Sequence, residues 1–326
     1  MKSTRRDEAS EPLLRVRDLN VRFGPVSAVT QLSFDAWPKE FLGVVGESGS
    51  GKSVTAKAIL GLLPENAQVS GSATFRGQEL IGAPAEVLRR IRGKQIGLVF
   101  QDALAALDPV YTIGDQLVEA LQAHTEISTK EARTKAADLL AEVGIPSPSK
   151  RLDDYPHQLS GGQRQRVIIA TALIAEPDLI IADEPTTALD VTVQKQVLDL
   201  LAEVSERRGA SVILVTHDMG VVAQHCDRVA TFYGGLLVES ADVYSLFETP
   251  QHPYTEALLR SVPKLGETTP FEAIPGSPVQ IQGALDRCPF APRCKHAAPV
   301  CTQELPAEYG TAEHRHRCVR VGQGEI

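Results

Sequence analysis

The sequence contains no apolar run long enough to cross a bilayer. Its longest stretches, such as Val167 to Ala175 with one threonine inside, are about half of the roughly 18 to 20 residues a spanning helix needs. The opening residues, MKSTRRDEASEP, carry basic side chains with no apolar run behind them. A secretory signal peptide is therefore not expected, whereas a short disordered leader over residues 1–12 is, on a chain that stays in the cytosol. Positive charge is not in surplus either: 33 Lys and Arg stand against 41 Asp and Glu, for a net charge of −8 and a pI near 5.6. That balance disfavours a broad nucleic-acid-binding surface. No internal repeat is present, so whatever the main domain does is encoded once. What remains is 326 residues, 43% hydrophobic and 23% charged, enough for a soluble chain of one large domain or two modest ones.

Prolines and cysteines divide the chain at the same place. Eight of the 21 prolines fall between Pro263 and Pro306, and four of the five cysteines lie in the last 39 residues. Before that region, short apolar runs alternate with amphipathic stretches. FLGVV (41–45), IGLVF (96–100), LIIA (179–182) and SVILVT (211–216) are rich in Val and Ile and do not alternate, which suits parallel strands buried on both faces. Helical sequence follows them, one segment from Ser53 toward Pro64 and another with Ser160 as N-cap ending before Pro177. The expected fold class is α/β with a doubly wound sheet, over a main domain at 13–260, with a helical subdomain at about 105–165 and an appended small domain at 261–326.

GESGSGKS, from Gly46 to Ser53, follows an expected strand and opens an expected helix, the context a phosphate-binding P-loop requires. Gly46, Gly49 and Gly51 permit a tight loop through Glu47, Ser48 and Ser50, with amides turned onto phosphate. Lys52 is placed for the β and γ phosphates, and the Ser53 hydroxyl for a magnesium ion (Mg2+). LIIADE, Leu179 to Glu184, delivers two carboxylates at the end of a strand, where ligands bind in an open parallel sheet. Asp183 suits magnesium and Glu184 suits accepting a proton from an attacking water. His217 after SVILVT and Gln101 after IGLVF end their strands in the same manner. His217 can contact a γ phosphate, and Gln101 can reach magnesium or orient water. LSGGQ, through Ser160, Gly161, Gly162 and Gln163, starts a capped helix with free amides, a second anion cradle. One chain has little use for two cradles on one nucleotide, so the second is expected to close over a nucleotide bound to a partner chain in a head-to-tail dimer.

These motifs, with the TALD of Thr187 to Asp190, occur in the order and spacing of the ATP-binding-cassette family, and the chain resembles it over roughly residues 13 to 260. The resemblance implies ATP and magnesium as cofactors, Phe23 stacking on adenine, Glu184 as general base, Ser160 and Gly162 serving the opposing site, Gln101 sensing a membrane partner and Asp190 linking two sites. TALD stands where SALD is commoner. QDALAALDPVYTIGDQL (101–117), YPHQLSGGQRQRVIIATALIAEPDLIIADEPTTALDVTVQ (155–194), PQHPYTEALLRSVP (250–263) and the tail GSPVQIQGALDRCPFAPRCKHAAPVC resemble ATPase subunits of oligopeptide and dipeptide importers, a group that includes nickel transporters. One small departure is LDP at Leu107 to Pro109 in place of LNP. This implies two separate permease subunits, a second and related ATPase, an extracytoplasmic binding protein, and a place on the cytoplasmic face of the inner membrane.

Between Cys288, Cys294, Cys301 and Cys318 lie five, six and sixteen residues. That spacing fits neither the tight pairs of zinc sites nor the runs of ferredoxins, and leaves zinc, an iron–sulfur cluster and unligated thiols open. The resemblance implies a 4Fe-4S cluster on these four. His296, His314 and His316 are the alternative donors, and Cys226 reads as a packed core residue. Two other readings compete with a transport ATPase. One is a cassette ATPase of DNA repair or translation, disfavoured by the acidic charge and the single cassette. The other is a metal or redox sensor, disfavoured by the presence of Glu184 and His217.

Overall fold

The computed structural model describes residues 11–100, 106–186, 189–261 and 273–326. It comprises two compact units, Met1–Gly82 with Thr216–Ile326, and Ala83–Val215. The described residues of the tail expected at 261–326 belong to the first unit.

The first unit opens with β1 (Leu14–Phe23), β2 (Val26–Ala36), β3 (Phe41–Val45), α1 (Lys52–Ile59), β4 (Ala67–Phe75) and β5 (Gln78–Glu79). An antiparallel sheet runs in the order β2-β1-β4-β5. On β1 the buried side chains are Leu14, Val16, Leu19 and Val21. The step of three between Val16 and Leu19 is a β-bulge, where the pairing register shifts and Asp18 adopts a left-handed φ of 46°.

The second unit contains α2 (Ala85–Ile91), β6 (Ile96–Val99), α3 (Ile113–Gln122), α4 (Thr129–Glu142), α5 (Pro148–Arg151), α6 (Gly161–Leu173), β7 (Leu179–Asp183) and α7 (Val191–Arg208), and the chain leaves it through β8 (Ser211–Thr216). β6, β7 and β8 are parallel neighbours. Every residue of β7 and β8 is buried, as non-alternating Val/Ile/Leu runs require. α3, α4 and α5 lie in the stretch expected to be helical. α3 is capped by Thr112, which accepts from the Asp115 N–H, and it buries Ile113, Leu117, Val118 and Leu121 along one stripe. α4 begins with a capping box between Ser128 and Glu131. Its far end is tied to α7 by Arg208, which donates to Glu142.

The chain then returns to the first unit with α8 (Met219–His225), β9 (Arg228–Tyr233), β10 (Leu236–Asp242), α9 (Val243–Glu248), α10 (Pro253–Arg260), β11 (Tyr309–Gly310), β12 (Arg315–His316) and α11 (Val319–Gly322). Here the strand order is β11-β12-β10-β9-β3, with β3 and β9 parallel and the remaining pairs antiparallel. The sheet is therefore mixed rather than parallel throughout, because Gly234 and Gly235 both take positive φ and turn β9 straight back into β10.

A buried ion pair fixes the entry to β3. Arg228 donates to Glu40 at 2.8 and 3.2 Å and to the Asp35 carbonyl, and both side chains are 9% exposed. Glu40 also accepts from the Trp37 N–H at 2.8 Å.

Candidate functional site

The P-loop of the first unit connects β3 to α1. Gly46, Gly49 and Gly51 all have positive φ. At Gly46 the requirement is strict: φ is 150°, and a Cβ there would sit 2.2 Å from the Phe232 carbonyl oxygen. Lys52 donates to the carbonyls of Gly46 at 2.8 Å and Glu47 at 3.0 Å, so its ammonium is drawn over the loop. Ser48 and Gly49 are exposed at the crest, and Ser53 opens α1 half-buried. The Ser50 hydroxyl is buried and has no hydrogen-bond partner among the described residues, an uncompensated polar atom in the wall of the loop. Phe23, half-buried, ends β1. His217 is exposed directly after β8. It sits on a corner held by Asp218, whose N–H donates to the Thr216 hydroxyl and whose carboxylate caps α8 at the amides of Gly220 and Val221.

In the second unit Asp183 ends β7 and is 5% exposed. Glu184 follows it with a left-handed φ of 45°, a strained backbone for a side-chain-bearing residue, and its N–H donates to the Val215 carbonyl at 3.0 Å. Ser160 caps α6 in a reciprocal box with Gln163: the Ser160 hydroxyl accepts from the Gln163 N–H at 3.3 Å, and the Gln163 side chain accepts from the Ser160 N–H at 3.0 Å. A Cβ on Gly162 would meet Val193 at 2.7 Å, and one on Gly161 would meet Leu189 at 3.5 Å. Asp190 caps α7 by accepting from the Val193 N–H at 3.0 Å. The LSGGQ turn and the Asp190 turn are therefore packed together within this unit. Gln101 and Thr187 lie outside the described residues.

The second unit also presents a groove of about 780 Å³ whose walls include Leu98, Phe100, Leu107, Tyr111, Ala120 and Ile168. Phe100 and Tyr111 are 44% and 55% exposed, and the neighbouring Val110 is 70% exposed. Apolar side chains left in solvent at this density mark a contact surface.

In the tail, Cys288, Cys294, Cys301 and Cys318 line one small cavity of about 20 Å³, although their spacing along the chain did not announce it. Two 3-10 turns, Ala291–Arg293 and Pro299–Thr302, fold the segment back so that the Cys288 N–H reaches the Cys301 carbonyl at 3.1 Å. Burial pushes the Cys288 thiol up to about 12 and raises those of Cys294 and Cys318 as well. Among the described residues, no group of three or more His, Cys, Asp or Glu side chains is drawn to metal-binding distance.

Of the alternative donors, His314 is bonded to Glu239 at 2.8 Å, and His316 accepts from the Cys318 N–H at 3.2 Å while stacking on Tyr309. His296 lines the cysteine cavity. Burial alone would raise the Glu239 carboxyl. Hydrogen bonds from His314 and from the amides of Gln251 and His252 outweigh burial and hold it below its ordinary range, which docks the tail on β10. Cys226 is buried against Gly43, and burial raises its thiol.

Sequence reasoning missed two residues of the first unit. Arg293 of the tail reaches Glu47 of the P-loop in a two-pronged ion pair at 2.6 and 3.0 Å, and the Tyr254 hydroxyl accepts from the Glu47 N–H at 2.9 Å. Tyr254 was in view inside PQHPYTEALL, and the buried aromatic of that phrase was the available signal. Arg293 carried none.

The model of the ABC transporter family matches residues 29–187, and that of the oligopeptide/dipeptide transporter C-terminal region matches 238–301. The dipeptide transport ATP-binding protein DppD of Bacillus subtilis is 48% identical over 91% of this chain and 91% of its own length. The oligopeptide transport ATP-binding protein OppD of Escherichia coli is 44% identical over 96% and 94%. OppD of Mycobacterium tuberculosis is 49% identical over 95% of this chain, which spans about half (52%) of that relative. Among solved structures, the ATP-binding cassette MJ0796, in a dimeric post-hydrolysis state bound to ADP and Pi, superposes with a TM-score of 0.63 at 27% identity, covering 71% of this chain and 98% of that one. The chain belongs to the ABC transporter family, within its oligopeptide and dipeptide branch.

Proposed function

We propose that this protein is the ATP-hydrolysing subunit of a peptide importer. The observation that carries the reading is the P-loop itself: three left-handed glycines, a lysine drawn over the loop carbonyls and an orphaned buried serine hydroxyl make a cradle for phosphate. Backbone amides and Lys52 take the β and γ phosphates. Ser53 and Asp183, with Gln101, hold magnesium, which neutralises the charge developing on the phosphates when bound. Phe23 stacks on adenine, and His217 contacts the γ phosphate. Glu184 accepts the proton of the attacking water, and the strained backbone at this residue fits a functional rather than a packing role. Ser160 to Gln163 serve the nucleotide of a partner ATPase in a head-to-tail dimer, and Asp190, packed beside them, links the two sites. That MJ0796 is dimeric supports the arrangement. A related but different ATPase is the partner assigned here.

No helix among the described residues is long and apolar enough to cross a membrane. The protein acts from the cytoplasmic face through two permease subunits, with a segment of one seated in the apolar groove beside Tyr111, and an extracytoplasmic binding protein supplies the cargo. Peptides are favoured over nickel complexes because DppD of Bacillus subtilis and OppD of Escherichia coli, matched along nearly their full length, carry dipeptide and oligopeptide names. Co-purification tests this. Recovery of two polytopic membrane proteins and a second ATPase, with peptide uptake lost on deletion, is the expected result, and recovery of ribosomes or DNA in their place would overturn it.

The four cavity cysteines are assigned to a 4Fe-4S cluster. What supports the reading is the number of donors, four sulfurs lining one cavity as such a cluster requires; among the described residues they are not drawn to metal-binding distance, and binding would have to bring them together. When bound, the cluster supplies a covalent staple and keeps the thiols ionised against the effect of burial. Protein purified without oxygen is expected to be brown, with iron and acid-labile sulfide in equal amounts. A colourless preparation holding stoichiometric zinc rejects the assignment.

A further inference from the structure

The cysteine-bearing tail grips the phosphate loop at two points, through groups that nothing in the general ATPase mechanism uses. Arg293 projects from the 3-10 turn Ala291–Arg293, between Cys288 and Cys294, and its side chain is only 7% exposed. Its guanidinium makes five hydrogen bonds: to both Glu47 carboxylate oxygens, to the Tyr233 hydroxyl at 3.1 Å, and to the carbonyls of Pro275 at 2.7 Å and Ile274 at 3.4 Å. A planar fork satisfied on every edge holds its partner in one place.

The second grip is aromatic. Phe290, 2% exposed, packs edge-on against Tyr233 and Tyr254 at centroid distances of 5.1 and 5.4 Å, and Tyr254 in turn receives the Glu47 N–H. Glu47 is thus held by its side chain from Arg293 and by its amide from Tyr254, while its carbonyl accepts from Lys52 and from the Ser50 N–H. A third strap lies on the strand that follows Phe23. At the start of β2, the Ser27 N–H donates to the Ile281 carbonyl and its hydroxyl to the Gly283 carbonyl.

We propose that Arg293 is a positioning residue of the phosphate loop: by clamping Glu47 it fixes the loop carbonyls on which Lys52 rests, so that the cysteine-rich tail sets the affinity of the site for ATP. The inference rests on residues 46–53 being the nucleotide cradle. Without the clamp Glu47 can rotate, the loop samples geometries in which its amides diverge from the phosphates, and ordering them again is charged to binding.

The experiment compares MgATP titrations and steady-state ATPase of the full chain as wild type, Arg293→Ala, Arg293→Lys, Glu47→Gln and the double variant Glu47→Gln/Arg293→Ala. Loss of a charge-assisted pair should raise KM and the ATP dissociation constant about tenfold while kcat stays within about twofold, a split that a loss of folded protein does not produce. Arg293→Lys should recover part of the affinity, and the double variant should be no worse than Arg293→Ala alone. If Arg293→Ala fails to fold, Glu47→Gln tests the same contact from the loop side. Unchanged KM in Glu47→Gln, a fall confined to kcat, or additive effects in the double variant would overturn the proposal. A wild-type protein that binds no ATP would instead overturn the reading of the cradle itself.

Discussion

Glu184→Gln is expected to lower ATP turnover by about 10² to 10⁴-fold, the usual contribution of a positioned general base, while leaving ATP binding intact. The amide has the shape of the carboxylate and meets the same left-handed backbone at φ 45°, so the substitution changes proton acceptance and little else. If ATP closes this chain on the partner ATPase as proposed, blocking hydrolysis removes the exit, and a dimer with that partner should accumulate with ATP in gel filtration of the two together. Two readings are needed because each excludes a different failure. Slow turnover without the dimer would indicate a site damaged in binding, and a persistent normal rate would remove Glu184 from the role of base. Asp183, buried one residue earlier at the end of β7, offers the contrast: loss of its charge should weaken magnesium-dependent binding rather than trap the bound state.

The elements nearest this chemistry were the ones most legible in the sequence. FLGVV and SVILVT coincide with β3 and β8 residue for residue, because a strand buried on both faces leaves an uninterrupted apolar run bounded by polar or glycine residues. Ser160 caps its helix as its neighbours Gly161 to Gln163 imply, with the reciprocal Gln163 bond visible as a three-residue spacing. The antiparallel sheet was not legible, and β1 shows why: its inward residues break step at Asp18, so that LRVRDLNVRF never shows the strict alternation that betrays a half-buried strand. On β2, Gln31 takes a left-handed φ of 44° in the same way. The cysteine cavity was obscured for a related reason, since its closure depends on two 3-10 turns that carry no strong period. The Arg293 clamp lay beyond sequence reasoning altogether. Its partner is 246 residues away, and in the tail Arg293 is one arginine among several.

The second large effect concerns the strand that feeds the P-loop. Arg228→Ala is expected to destabilise the protein by about 3 to 5 kcal/mol, because it leaves the Glu40 carboxylate buried and uncompensated. The two side chains pair at 2.8 Å with 9% exposure on each, so solvent cannot replace the lost partner. The damage should not stay local. Glu40 immediately precedes β3, Arg228 opens β9, and Leu42 faces Arg228 in the parallel register that continues through Val45 to the loop at Gly46. A shift at this end of β3 moves the loop, so residual folded protein should also bind ATP more weakly.

Replacing both partners, as in Glu40→Leu with Arg228→Met, separates charge burial from packing. If the penalty comes from an orphaned carboxylate, the double variant should recover most of the stability in a denaturant titration despite losing every hydrogen bond of the pair. Should it remain as unstable as Arg228→Ala, the hydrogen bonds to Asp35 and Trp37 that Arg228 and Glu40 also make would have to carry the stabilisation, and the ion pair as such would be incidental.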